Sequence, residues 1–184
     1  MAIFNGTGAD DFITGTGEND VLKGFAGNDQ LYAGDGMDEV IGGAGNDKID
    51  LGNGDDYVDG GNGEDVICGD DGCDTLLGGA GNNWLDGGYG VDLIVGGSGH
   101  DDLTGGADAD TFTFAWGDGW DAIKDFEIGV DTVDLGVLGL SEYGFDGLNF
   151  FEAEYGTVLV LNEEQSITFE GIHSDALNAY DFIL

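Results

Sequence analysis

An acidic or amide side chain recurs at a nine-residue spacing along most of this chain: Asp10, Asn19, Asp29, Asp38, Asp47, Asp56, Asp65, Asp74, Asn83, Asp92, Asp101 and Asp110. Each follows a glycine-rich stretch, as in Gly42-Gly43-Ala44-Gly45-Asn46-Asp47. Carboxylates stacked side by side repel one another without a counter-ion. Glycine-rich turns add backbone carbonyls as further oxygen donors. Such a donor set suits a hard cation taking about six to eight oxygens, and its relaxed geometry favours Ca²⁺ over Mg²⁺. The imidazole and thiolate ligands of zinc sites are not clustered, since His100 and His173 are far apart in sequence.

The elements that position these carboxylates follow from the same period. The template is Gly-Gly-x-Gly-x-Asp-x-U-x, with U apolar, and Gly42 to Asp50 matches it in full. Read from Asn5, twelve units run 5–13, 14–22, 23–32, 33–41, 42–50, 51–59, 60–68, 69–77, 78–86, 87–95, 96–104 and 105–113, the third with one extra residue. The first six positions form a turn, whose glycines allow positive φ and close backbone approach. The last three form a short strand whose central side chain points opposite to its neighbours. The inward set in this frame is Phe12, Val21, Leu31, Val40, Ile49, Val58, Ile67, Leu76, Leu85, Ile94, Leu103 and Phe112, all apolar. Two units make one coil of 18 residues, with a strand on each of two parallel sheets. One unit cannot bury its apolar residue alone, so stability needs stacked neighbours.

The composition agrees. Acids outnumber bases 39 to 3, for a formal charge of −36, with 38 Gly and no Pro. Such a balance alone would suggest an acidic disordered chain. The 41% of hydrophobic residues falls at fixed positions instead. The periodic charge points to neutralisation by bound cations. Nucleic acid is a poor partner, because phosphate contacts need Lys and Arg. Anionic membrane surfaces are disfavoured for the same reason. Met1-Ala2-Ile3-Phe4 does not read as a signal peptide, and no stretch approaches the roughly 20 apolar residues of a membrane span.

On these motifs the chain resembles the RTX, or haemolysin-type, family of calcium-binding nonapeptide repeats, including the C-terminal rolls of serralysin-type metalloproteases. The resemblance implies an all-β, right-handed parallel β-roll (RTX solenoid). Residues 1–113 would form the roll and 114–184 a β-rich cap ending in a short helix. It also implies ligand sets, each ion lying between turns 18 residues apart. The earlier turn would give carbonyls from positions two and four, the later turn carbonyls from positions one and three, and each its Asp. Gly43, Gly45 and Asp47 would thus pair with Gly60, Asn62 and Asp65 on one edge. Gly52, Gly54 and Asp56 would pair with Gly69, Asp71 and Asp74 on the other. In the same sense the neighbouring turns would use Gly34, Gly36, Gly42, Ala44, Leu51, Asn53, Gly61, Gly63, Gly72, Gly78, Ala80, Gly87, Tyr89, Gly96 and Ser98. Asp121 and Asp131 would complete the last sites. Pairing each of twelve units with the one two further on gives ten sites, an expectation of roughly 8–11 Ca²⁺ ions. Sites using Asn19 or Asn83 should be weaker for lack of charge, and Asp108 replaces a turn glycine.

Beyond the repeats, short strands are expected near Leu148–Phe151, Thr157–Leu161 and Ser166–Phe169, then a helix from Ser174 or Asp175 to about Tyr180. Asp181-Phe182-Ile183-Leu184 resembles the terminal signal of type I secreted relatives, which implies a Gram-negative secretion machinery as partner and a secreted, extracellular protein. Leu22, Ile41, Leu77, Leu93 and Val95 are read as outward-facing, with the cap or N-terminal residues folding over them. A partner domain or second protomer is the next occupant. The rival function is a calcium-dependent module binding extracellular polysaccharide such as alginate beside an attached enzyme. Tyr57, Trp84, Tyr89 and Trp120 would be its sugar-stacking groups. An enzyme is not expected, because neither H-E-x-x-H nor G-x-S-x-G occurs. An outward threonine ladder of the ice-binding kind is not read either, Thr75, Thr104, Thr111 and Thr113 being placed in no single column. Cys68 and Cys73 flank one turn and read as free thiols, with a disulfide across that turn after export as the alternative.

Overall fold

The computed structural model describes residues 1–140 and 144–184. Strands alternate between two sheets. The first contains, in spatial order, Ile3–Asn5, Val21–Ala26, Glu39–Ala44, Tyr57–Asn62, Thr75–Ala80, Leu93–Ser98, Thr111–Thr113, Thr132–Asp134 and Phe182–Ile183, all parallel. The second begins Phe12–Thr14, Gln30–Asp35, Lys48–Asn53, Val66–Cys68, Trp84–Tyr89, Asp102–Ala107 and Trp120–Ile123. It continues through Gln165–Glu170, then antiparallel through Gly156–Asn162 and Asn149–Ala153.

Neighbouring strands lie 18 residues apart, as Leu31 beside Ile49 and Val40 beside Val58. The chain is therefore a parallel β-roll with the U residues between its sheets. Leu31, Val40, Ile49, Val58, Ile67, Leu76, Leu85, Ile94, Leu103 and Phe112 are all fully buried. Burial alternates from position six to position one of the next unit, so the turn Asp points inward with the U residue.

The first two units stand one residue out from the frame read above. Ile13 pairs with Leu31 and Leu22 with Val40, while Phe12 is 69% exposed. The period is nine without interruption back to Phe4, which pairs with Leu22, and no unit carries an extra residue. A one-residue slip in a strand exchanges its faces, so Ile13 and Leu22 enter the core and Leu22 is not an outward residue.

The cap extends the roll rather than lying across its faces. Val133 stacks on Phe112, Phe182 on Val133, and Phe169 on Ile123. Phe145, Phe150, Phe169 and Phe182 then pack as a cluster over the last layer. Leu93 stays partly exposed. The three expected cap strands form, the last pairing parallel with Trp120–Ile123.

The expected terminal helix does not form. Ala179–Asp181 is a single 3-10 turn, in which Asn178 and Asp181 cap each other. Asp181 is fully buried and accepts the Gly129 N–H at 3.0 Å, which holds Phe182 in register as the last rung. A helix there would pull both residues out of place. Thr75, Thr111 and Thr132 do share one outward column, but Leu93 interrupts it.

If the apolar column holds the coils together, Leu85→Ala should lower stability by about 2–5 kcal/mol, the usual range for a buried leucine. Phe12→Ser should change it by less than about 0.5 kcal/mol. Denaturant unfolding of the two variants in saturating calcium checks both.

Candidate metal centre

The turn carboxylates form two rows, one on each edge of the roll. On one edge Asp11, Asp29, Asp47, Asp65, Asn83, Asp101 and Asp121 are linked by hydrogen bonds. The backbone N–H of each donates to Oδ1 of the next, at 2.7–3.0 Å. On the other edge Asp20, Asp38, Asp56, Asp74, Asp92, Asp110 and Asp131 are linked in the same way, at 2.6–3.1 Å. From the second residue of each row onward, one side-chain oxygen is thus spent on the preceding coil.

In ten of these carboxylates the other oxygen is not. Oδ2 of Asp29, Asp38, Asp47, Asp56, Asp65, Asp74, Asp92, Asp101, Asp110 and Asp121 is buried and has no hydrogen-bond partner. A buried carboxylate oxygen without a donor costs several kcal/mol unless charge of the opposite sign meets it. Backbone oxygens crowd the same spaces. A Cβ built on Gly60 would lie 2.7 Å from Asp65 Oδ2 and 2.7 Å from the Gly78 carbonyl oxygen. At Gly42 the equivalent distances to Asp47 Oδ2 and the Gly60 carbonyl are both 2.5 Å. A carboxylate oxygen and a carbonyl oxygen of the next coil therefore converge on one point beside each of these glycines. The position-three carbonyls of Ala44, Asn53, Asn62, Asp71, Ala80, Tyr89 and Ser98 each accept one N–H from the coil before. A second lone pair remains on each.

Glycine is needed at particular places in these turns. Gly43 and Gly45 hold φ of 116° and 127°, which a side chain would resist. Phe25, Asp70 and Asp108 adopt positive φ without that freedom. Leu51 and Ala33 occupy position one with their side chains buried in the core.

Burial makes these carboxyls hard to ionise alone. It pushes Asp47, Asp56 and Asp101 up to about 6, and Asp74, Asp110 and Asp121 up to about 7, with neighbouring aspartates adding to the rise. Charges one rung (about 4.8 Å) apart repel by about 0.9 kcal/mol even at the dielectric of water. An all-oxygen set with buried, donor-less carboxylate oxygens fits a hard divalent cation of the calcium type.

The one-residue offset of the first two units carries into the carboxylate rows. Asp10 and Asn19 are exposed and stand at position five, outside the inward rows. Their Oδ1 atoms accept the N–H groups of Asn28 and Met37. Asp11 and Asp20 take the row positions instead. Counting back in nines from Asp29 reaches both, but the doublets Asp10-Asp11 and Asn19-Asp20 admit either frame. Asp121 and Asp131 extend the rows through their Oδ1 atoms across spacings of 20 and 21 residues, and Asp131 Oδ2 accepts the Glu127 N–H at 2.8 Å. A second ladder runs beside each row. Position-five Asn28, Asn46, Asp55 and Asn82 accept the N–H of the equivalent residue one coil on, and an Asn or Asp recurring after the position-four glycine is the signal for it.

The remaining marked residues disperse. Tyr57 and Trp84 lie on different sheets, so no single sugar-stacking platform includes both. His100 is exposed and meets the edge of Trp120. Cys68 and Cys73 are free, and burial pushes the Cys68 thiol up to about 11.

Comparison with known proteins places the chain in a family. The model of the RTX calcium-binding nonapeptide repeat matches it in four copies, over residues 5–40, 32–67, 69–103 and 86–120. The chain belongs to the RTX repeat family. Its repeats are calcium-binding motifs, and the architecture is that of the RTX roll. No curated protein matches the chain. Among solved structures it is similar to the AlgE6R3 subunit of the Azotobacter vinelandii mannuronan C5-epimerase, at 23% identity and a TM-score of 0.33, covering 97% of this chain and 80% of that one. It is also similar to the extracellular lipase LipA from Serratia marcescens, at 15% identity and a TM-score of 0.26. There the match covers 97% of this chain and 39% of the lipase chain.

The raised carboxyls bind protons more tightly in the roll than in the unfolded chain, so acid favours the metal-free roll. Its stability should fall as pH rises from the ordinary carboxyl value of 3.8 through about 7. Protons and calcium compete for the same oxygens, so calcium affinity should rise over the same window. Circular dichroism in chelator and calorimetry with Ca²⁺, each at a series of pH values, should show these opposite trends. Asn83 fills its own site differently: its Nδ2 lies 3.4 Å from the carbonyl oxygens of both Gly81 and Gly96. Asn83→Asp should replace that amide with a donor-less oxygen and tighten the weakest calcium-binding step several-fold, read by calorimetric titration.

Proposed function

We propose that this chain is a secreted calcium-dependent β-roll, non-catalytic in itself, which completes its folding when divalent cations fill the spaces between its turns. The observation that carries this reading is the pair of buried rows of carboxylate oxygens with no donor. Residues 1–113 act as the ion-binding roll and 114–184 as the cap closing its last layer. Asp47 and Asp65 with the carbonyls of Gly43, Gly45, Gly60 and Asn62 would hold one ion, and Asp56 and Asp74 with Gly52, Gly54, Gly69 and Asp71 the equivalent on the other edge. Bound there, calcium supplies positive charge and multiple oxygen coordination. Ten ions would bring the formal charge from −36 to about −16.

The chain's own part is to stay open until then. Self-repulsion among 39 acids and the conformational freedom of 38 glycines favour an expanded state at the low calcium of a cytosol. Ligands that bind only the folded state shift the equilibrium by mass action. The proposed route is type I export of the unfolded chain, with Asp181–Leu184 read before folding. Once folded, Asp181 and Phe182 are buried in the last rung.

Far-UV circular dichroism tests the folding step. In chelator at neutral pH the spectrum should be that of a coil. Millimolar Ca²⁺ should produce a β spectrum in a cooperative transition, and equal Mg²⁺ should not. A full β signal in chelator would contradict the reading.

A further inference from the structure

The first turn on each edge is built differently from those that follow, and in the same way on both edges. Position two is threonine, Thr7 on one edge and Thr16 on the other, where Gly34, Gly43, Gly52 and Gly61 stand further along. Those glycines hold φ between 93° and 116°. The non-glycine residues with positive φ are Phe25, Asp70 and Asp108 among the described residues, so neither threonine shares that conformation.

The threonine turns close on themselves. The Thr16 hydroxyl donates to Asp20 Oδ2 at 2.6 Å, and the Thr16 N–H donates to the same oxygen at 2.9 Å. The hydroxyl oxygen accepts the Glu18 N–H at 3.3 Å. Thr7 repeats the pattern with Asp11 Oδ2, at 2.9 Å from its hydroxyl, and with the Ala9 N–H at 3.3 Å. In later turns the equivalent position-four N–H points to the next coil, as Gly27 to Ala44 and Gly36 to Asn53. Asp20 is 2% exposed, so its burial matches that of the row, yet its Oδ2 has two donors. The donor-less oxygens begin one turn later, at Asp29 and Asp38.

We propose that Thr7 and Thr16 close the first turn of each row with protein donors in the place where metal is held further along, so that the ion rows start at Asp29 and Asp38. This rests on the calcium-binding reading above and adds which carboxylates stay outside it. A hydroxyl and an N–H satisfy the carboxylate locally and require no oxygens from a second turn. The end of the roll is thereby kept ordered without an ion at its most solvent-exposed turn. It also gives Asp11 and Asp20 a positioning role: their Oδ2 atoms fix the first turn, and their backbone N–H groups still bind Oδ1 of Asp29 and Asp38.

The test counts ions by native mass spectrometry on the calcium-loaded full chain and on three variants. Asp20→Asn should keep the wild-type ion count, whereas Asp56→Asn should lose at least one ion. Thr16→Gly, which restores the glycine pair found in other turns, should gain one ion. Loss of an ion in Asp20→Asn, or an unchanged count in Thr16→Gly, overturns the proposal while leaving the calcium reading intact. Absence of bound calcium in the wild-type chain overturns both.

Discussion

Everything in this molecule is arranged around carboxylate oxygens that the protein buries and leaves without donors. In most proteins a buried Asp is answered by N–H groups or by a basic side chain. Here, in ten row residues from Asp29 to Asp121, one oxygen is answered by the coil before and the second is not. The chain has three basic side chains in all. One of them, Lys124, is engaged by Asp102 and Glu170 at 2.8 and 2.7 Å, away from the rows. The charge must therefore be balanced from outside, and the oxygen-rich cavities between turns set the kind of cation that can do it.

That demand explains the economy of the repeat. Nine residues suffice because each coil borrows from its neighbours: an apolar layer above and below, a parallel hydrogen-bond ladder, and an Oδ1 acceptor from the next turn. A roll of this kind has no independent unit, so loosening one contact is felt by the stack. The cap answers the problem at the C-terminal end, where the last apolar layer would face water. It supplies further rungs and then an aromatic cluster of Phe145, Phe150, Phe169 and Phe182.

The apolar column from Leu31 to Phe112 was plain in the sequence, because an apolar residue every nine positions between glycine-rich turns admits few other folds. The row residues from Asp29 to Asp110 were equally legible, as was the hairpin of the cap. The first two units were not. Phe12-Ile13 and Val21-Leu22 each offer two apolar residues, and Asp10-Asp11 and Asn19-Asp20 each offer two candidate ligands, so local matching could not choose between frames. Pairing to Leu31 and Val40 chose. The tail departs from its local signals for a different reason. Local capping signals favour a helix before Tyr180, but the burial of Asp181 and Phe182 against the end of the roll overrides them.

The most direct measurement of the central claim is anomalous diffraction from crystals of the chain grown in calcium. The account predicts two rows of anomalous peaks, one along each edge, each peak about 2.3–2.6 Å from carboxylate oxygens of turns one coil apart. An ordered roll whose row carboxylates show no peaks in excess calcium, or peaks confined to surface acids such as Asp10 and Asp70, would contradict it.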